Sequence, residues 1–183
     1  ALASSVVDGR AALAFLVEWL KEAFAGARIV GVGHRVVHGG PDHRSPVAVT
    51  PAILDELRKL EPLAPLHQPY NLGAIDAVAQ RLPGVPQVAC FDTSFHRGQP
   101  AVAELVPLPA ELRRGGLQRY GFHGLSYEYV TQHLQAAAPD LAAGRVVVAH
   151  LGSGASMCAI RNGQSVGSTM GFSYAAQVVE VSV

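Results

Sequence analysis

Four short segments carry side chains able to handle a phosphoryl group: "GHRVVHGG" at residues 33–40, "CFDTSFH" at 90–96, "RYGFHG" at 119–124 and "HLGSGAS" at 150–156. In the first, His34 and Arg35 interrupt an apolar run formed by Ile29, Val30, Val32, Val36 and Val37. Burying a guanidinium without a partner is costly, so an anion is expected at Arg35. Taken singly, each segment has a plainer explanation: a structural ion pair, a turn cap at Asp92-Thr93, or a histidine packed between glycines. Together, a strand-end arginine, a strand-end aspartate, a glycine-flanked histidine and a backbone-rich turn suit phosphoryl transfer. Its transition state spreads negative charge over equatorial oxygens, so catalysis is mainly positioning and electrostatics. Arg35 and His123 are the candidate positive charges. The main-chain N–H groups of "GSGAS" are the candidate phosphate cradle. No G-x-x-x-x-G-K-[ST] is present, so this is not a P-loop motif.

The elements that must hold these residues are legible in outline. "AALAFLVEWLKEAF" at 11–24 has helical apolar spacing and a glycine, Gly26, placed for a left-handed C-cap. Residues 28–33 read as a strand that ends in the Gly39-Gly40-Pro41 turn. Thr50-Pro51 opens a helix through Leu60. Tyr70 to Leu82 reads as a second helix, and "PQVACFD" as a buried strand ending on a carboxylate. A helix follows from Ser126 to Ala137, then the strand "RVVVAHL". Asn162-Gly163 marks a two-residue hairpin. Strands alternating with helices predict an α/β fold containing a mixed sheet.

The 183 residues suit one ordinary domain or two small lobes. Lys+Arg and Asp+Glu both number 14, which removes any electrostatic case for nucleic acid or anionic lipid. No apolar run is long enough to span a bilayer and no secretory signal is read, so a cytoplasmic protein is expected. Cys90 and Cys158 are expected as reduced, buried thiols. The chain starts at Ala1 and stops at "VVEVSV", and either end reads as a possible cut.

The ordered set "GHRVVHGG", "PLHQPYNLGAI", "FDTSFH", "RYGFHGLSYEYV" and "HLGSGAS" resembles the acetate kinases over roughly residues 28–173, with propionate and butyrate kinases as close relatives. The resemblance implies an actin-like (ribonuclease H-like) acetokinase fold of two lobes. Residues 1–94 would close the N-terminal lobe and 95–183 open the C-terminal one. It also implies reversible transfer between ATP and acetate, giving acetyl phosphate and ADP, with Mg²⁺ or Mn²⁺, in a homodimer. By the same resemblance, Arg35 holds the substrate carboxylate or the phosphoryl group. Val37, Leu66 and Phe122 surround the acetate methyl. Asp92 orients the nucleophile or the metal, and His123 stabilises the transition state. His150, Leu151, Gly152, Ser153 and Gly154 bind nucleotide phosphate.

Three departures stand beside these matches. Ser153 replaces the family's usual asparagine with a shorter hydroxyl. The family's first phosphate motif, an asparagine- and glycine-containing hairpin, has no counterpart in the chain. After "TMGF" the sequence "SYAAQVVEVSV" replaces the expected second arginine, adenosine-binding glycines and metal-binding glutamate. The 183 residues alone are therefore expected to show negligible activity. A non-catalytic, nucleotide-responsive interaction module on the same fold is the alternative from another class.

Overall fold

The computed structural model describes residues 9–109 and 118–171. They form two small sheets with helices against them. The first sheet has the order β1-β3-β2, with β1 (Val32–Val36) parallel to β3 (Gln87–Phe91) and β2 (Val47–Ala48) antiparallel to it. It is the mixed sheet expected. The second is wholly antiparallel, in the order β4 (Arg145–Leu151), β5 (Ala155–Arg161), β6 (Gln164–Ser168).

β1 begins later than the apolar run, which predicted residues 28–33. Its register opens at Val32 opposite Gln87, and the Val32 N–H donates to Pro86 O at 2.9 Å. Proline has no N–H to return, so the ladder cannot extend back along Ile29–Gly31. Between β1 and β3 lie α2 (Pro51–Arg58) and α3 (Gln68–Arg81). The Thr50 side chain caps α2 by accepting from the Ile53 N–H at 3.2 Å. Val36, Leu57, Leu72, Ile75, Ala89 and Phe91 pack into one core beneath the sheet. Burial of a side chain such as Phe91 contributes roughly 1.5–3 kcal/mol.

The second core sits between β5 and α5 (Gly124–Ala137), from Tyr127, Cys158 and Ile160. A third joins the two halves: Val37 just past β1, Ala64, Tyr120, Phe122 and Met170. The β5–β6 turn has Asn162 at φ 50° and Gly163 at φ 76°, the paired positive values of the two-residue hairpin. Two short helices, α4 (Ala101–Glu104) and α6 (Pro139–Ala142), flank the longer ones.

The first helix, α1 (Gly9–Ala23), packs on α3 and is followed by Gly26 at φ 90°, as the C-cap reading expected. Its apolar residues are less buried than their spacing implied: Val17 is buried, whereas Phe15, Leu16 and Trp19 are exposed. Both cysteines are free, but only Cys158 is buried; Cys90 is partly exposed, because the side of β3 that carries it is incompletely covered. The tail "SYAAQVVEVSV" lies outside the described residues.

Candidate functional site

The C-terminal ends of β1 and β3 carry the two charged residues, and ligands of open α/β sheets gather at that end. Arg35 stands opposite Cys90 in the register, two residues before Asp92. Its Nε lies 3.1 and 3.2 Å from the two carboxylate oxygens of Asp92, and its Nη2 lies 2.6 Å from Oδ2. This is the forked geometry that distinguishes arginine from a point charge. The anion expected at Arg35 is therefore met inside the chain. The guanidinium is not buried, as its place in an apolar run implied: the Arg35 side chain is 55% exposed and that of Asp92 1%. The arginine reaches out from the strand end while the aspartate is enclosed.

The chain beyond β1 is held by side chains. Asn71 Oδ1 accepts from the Val37 N–H at 3.0 Å, and Gln68 Oε1 from the His38 N–H at 3.1 Å. Gln68 returns an N–H to His38 O, and Thr93 Oγ1 accepts from the Gly39 N–H at 3.0 Å. Val37 is thereby fixed against Phe122, and both are buried. Leu66 does not join them: it is 69% exposed and outside that cluster. It sits in the loop after the short 3₁₀ turn at Glu61–Leu63, where no packed element covers it.

His123 enters from the other half. It is the N-cap of α5 in the left-handed region, φ 58° and ψ 19°, a conformation that costs a non-glycine residue energy and persists where surroundings dictate it. The next residue explains the constraint. The Gly124 N–H donates to Asp92 O at 2.9 Å, and a Cβ on Gly124 would lie 2.0 Å from that oxygen. A Cβ on Gly121 would lie 2.3 Å from the His96 ring. The glycines flanking "FH" allow the two halves to touch. His96, which sequence reasoning did not single out, donates from Nε2 to Phe122 O at 2.9 Å, while its Nδ1 lies 2.9 Å from Ser165 Oγ on β6.

The His123 ring stacks on His150 with centroids 4.0 Å apart, and its Nδ1 lies 2.9 Å from Ser156 Oγ on β5. Burial lowers the His123 pKa to about 4, with the neighbouring His150 adding to the effect. His123 is consequently neutral at pH 7, rather than the second cation that its motif suggested. His67 also belongs to the neighbourhood. Its pKa is lowered by burial and then by the Arg35 charge, with Asp92 opposing. Its only sequence signal was its place in "PLHQP".

The expected phosphate loop follows β4. Leu151, Gly152 and Ser153 are exposed, Gly154 is half-buried, and the half-buried His150 bonds Ser126 Oγ through Nδ1 at 3.0 Å. The Gly152 N–H donates to Gly154 O at 3.1 Å, so that one donor of "GSGAS" closes the turn itself. Among the described residues no three of His, Cys, Asp and Glu gather as a metal site. Asp92 is already engaged by Arg35, so these residues do not build a divalent-cation site by themselves.

Two buried histidines set a pH dependence. Burial also lowers the pKa of His38 to about 4, with the Arg97 charge acting in the same direction. Both histidines have folded pKa values below the ordinary 6.5, so the unfolded chain binds more protons between these limits. Their contribution to stability is complete above pH 6.5 and is lost as pH falls towards 4. Urea unfolding at pH 5 is expected to show roughly 1–2 kcal/mol less stability per histidine than at pH 7. Equal stability at both values would refute this.

Comparison with known proteins agrees with the geometry. The model of the acetokinase family matches residues 2–179. This is wider than the motifs reached, and it takes in most of the tail expected to depart from the family. The chain is 55% identical over 161 residues to an acetate kinase of Methylocella silvestris, covering 88% of this chain and 40% of the relative. It is 52% identical over 170 residues to one of Nitrobacter hamburgensis, covering 92% and 41%. A crystal structure of Porphyromonas gingivalis acetate kinase superposes with TM-score 0.79 at 36% identity, over 91% of this chain and 43% of that one. One of a propionate kinase from Francisella tularensis gives 0.82 at 34%, over 90% and 43%. The chain thus spans about two fifths of the length of the curated relatives it matches.

Proposed function

The chain belongs to the acetokinase family, and from that footing we propose that Arg35, Asp92 and His123 serve reversible phosphoryl transfer between ATP and acetate, giving acetyl phosphate and ADP. The observation that carries the reading is the convergence of three distant motifs: Arg35 forked onto Asp92, and Asp92 O bonded to the residue after His123.

Acetate is already ionised at neutral pH, so its oxygen attacks without a general base. The new bond forms between that oxygen and the γ-phosphorus. The bond from phosphorus to the β,γ-bridging oxygen breaks, and its electrons leave with ADP. Arg35, braced by Asp92, stabilises the charge on the substrate carboxylate or the equatorial oxygens, and neutral His123 donates a hydrogen bond to it. Val37 and Phe122 form the wall against the methyl group. His150 to Gly154 approach the nucleotide phosphates. Magnesium, or manganese, supplies charge neutralisation when it arrives on the nucleotide, and none of these steps is assigned to it. The two sheets support a division into lobe portions at 1–94 and 95–183, and a homodimer and a cytoplasmic setting accompany this reading.

The test is a graft: the matched 161 residues replace their counterpart in the Methylocella silvestris acetate kinase, and acetyl phosphate is trapped with hydroxylamine. Acetate is expected to be the best substrate. Each added methylene should lower kcat/KM by only about 10–200-fold, because a small apolar wall discriminates by about 1–3 kcal/mol. A folded graft that forms no acetyl phosphate would overturn the proposal, and a preference for propionate would shift it to the propionate kinases. The 183 residues assayed alone are expected to give negligible product. ATP binding without turnover there would favour the interaction-module alternative.

A further inference from the structure

Tyr127 and Ser156, which lie within "RYGFHGLSYEYV" and "HLGSGAS" but were given no role there, are joined to the His123 ring by hydrogen bonds. We propose that they are positioning residues, which fix the His123 imidazole in the tautomer carrying its proton on Nε2. All three side chains are buried: Tyr127 0% exposed, Ser156 4% and His123 3%. The Tyr127 hydroxyl bonds Ser156 Oγ, and Ser156 Oγ lies 2.9 Å from His123 Nδ1.

The direction of this chain follows from donor counting. Of the two hydroxyls in the Tyr127–Ser156 pair, the phenol is much the more acidic, and so the stronger donor and the weaker acceptor. Tyr127 has one proton to give, and it goes to Ser156 Oγ. Having accepted, Ser156 has its own proton for His123 Nδ1. Nδ1 is left as the acceptor, and a neutral ring must carry its hydrogen on Nε2. The elements make this arrangement rigid. Ser156 pairs with His150 in the β4–β5 register, and Tyr127 sits one turn into the helix that His123 caps.

The consequence rests on reading His123 as the group that meets the transferring phosphoryl. In the assigned tautomer that ring offers an N–H to anionic oxygens. In the other it would offer a lone pair and repel them. The tautomer itself can be measured without turnover.

The 183-residue chain labelled with ¹⁵N-histidine, with His123 identified by its loss in His123→Gln, is expected to show an unprotonated Nδ1 and a protonated Nε2 at pH 7. Ser156→Ala removes the donor and should bring the two nitrogen shifts towards each other as the tautomers mix. Tyr127→Phe should move them the same way by less, since the serine keeps its hydroxyl but loses what orients it. A purely structural pair would change stability and leave the shifts alone. A proton on Nδ1 in the parent chain, or shifts unchanged in both variants, would overturn the proposal. If Ser156→Ala does not fold, the parent and Tyr127→Phe spectra decide it. The assigned tautomer in a catalytically silent graft would support the relay and count against the phosphoryl reading alone.

Discussion

Gly124→Ala is expected to destabilise the protein by about 3 kcal/mol or more, beyond the usual range of a single methyl group. The added Cβ would fall 2.0 Å from Asp92 O and 2.9 Å from the Phe95 Cβ. The closer atom is main chain, fixed by the Gly124 N–H and by the Asp92 N–H donating to Val36 O at 3.0 Å. No rotamer relieves such a contact, so α5 must withdraw from the end of β3 and take His123 with it. Gly73, inside α3, has open space where a Cβ would stand, with no atom within 4 Å of that point. Gly73→Ala should therefore stabilise by roughly 0.5–1 kcal/mol through backbone entropy. Urea unfolding of both variants checks the pair, and a parent-like midpoint for Gly124→Ala would show that the two halves do not meet as described.

The Arg35–Asp92 pair should respond asymmetrically. Arg35→Ala strands a carboxylate that is 1% exposed and should cost roughly 1–3 kcal/mol, the desolvation penalty of a buried group left without this partner. Asp92→Asn should cost less, because the Arg35 side chain is 55% exposed and water can replace the lost carboxylate charge. Combining the two should recover part of the Arg35→Ala loss, since the remaining amide is cheaper to bury than a charge. Denaturant midpoints of the three variants give the order directly, and Asp92→Asn emerging as the most damaging would contradict it.

What the sequence made legible is what local rules control. The Asn162-Gly163 hairpin, the Thr50 cap and the helix starting near Ser126 all follow from short-range backbone chemistry, and all are present. The start of β1 was not legible, because it is set by Pro86, which immediately precedes β3 and lies more than fifty residues away. The same limit applies to the site. The residue types at Arg35, Asp92 and His123 announced phosphate chemistry, but pairing Arg35 with Asp92 required the parallel register. The neutrality of His123 arises from burial and from His150, neither of which has a local signature. Ser156, Tyr127 and His96 look like ordinary strand, helix and turn residues until tertiary packing joins them. For α1 the spacing gave the helix correctly, whereas the exposure of Trp19 and Phe15 depends on what packs against it.

The most direct measurement is hydroxylamine-trapped acetyl phosphate from the Methylocella silvestris graft, compared with the same graft carrying Arg35→Ala or Asp92→Ala. The account predicts measurable product from the parent graft and a loss of about 10²–10³ or more in kcat/KM for each variant, as for other preorganised electrostatic groups. A folded graft whose product formation is indifferent to both substitutions would contradict it.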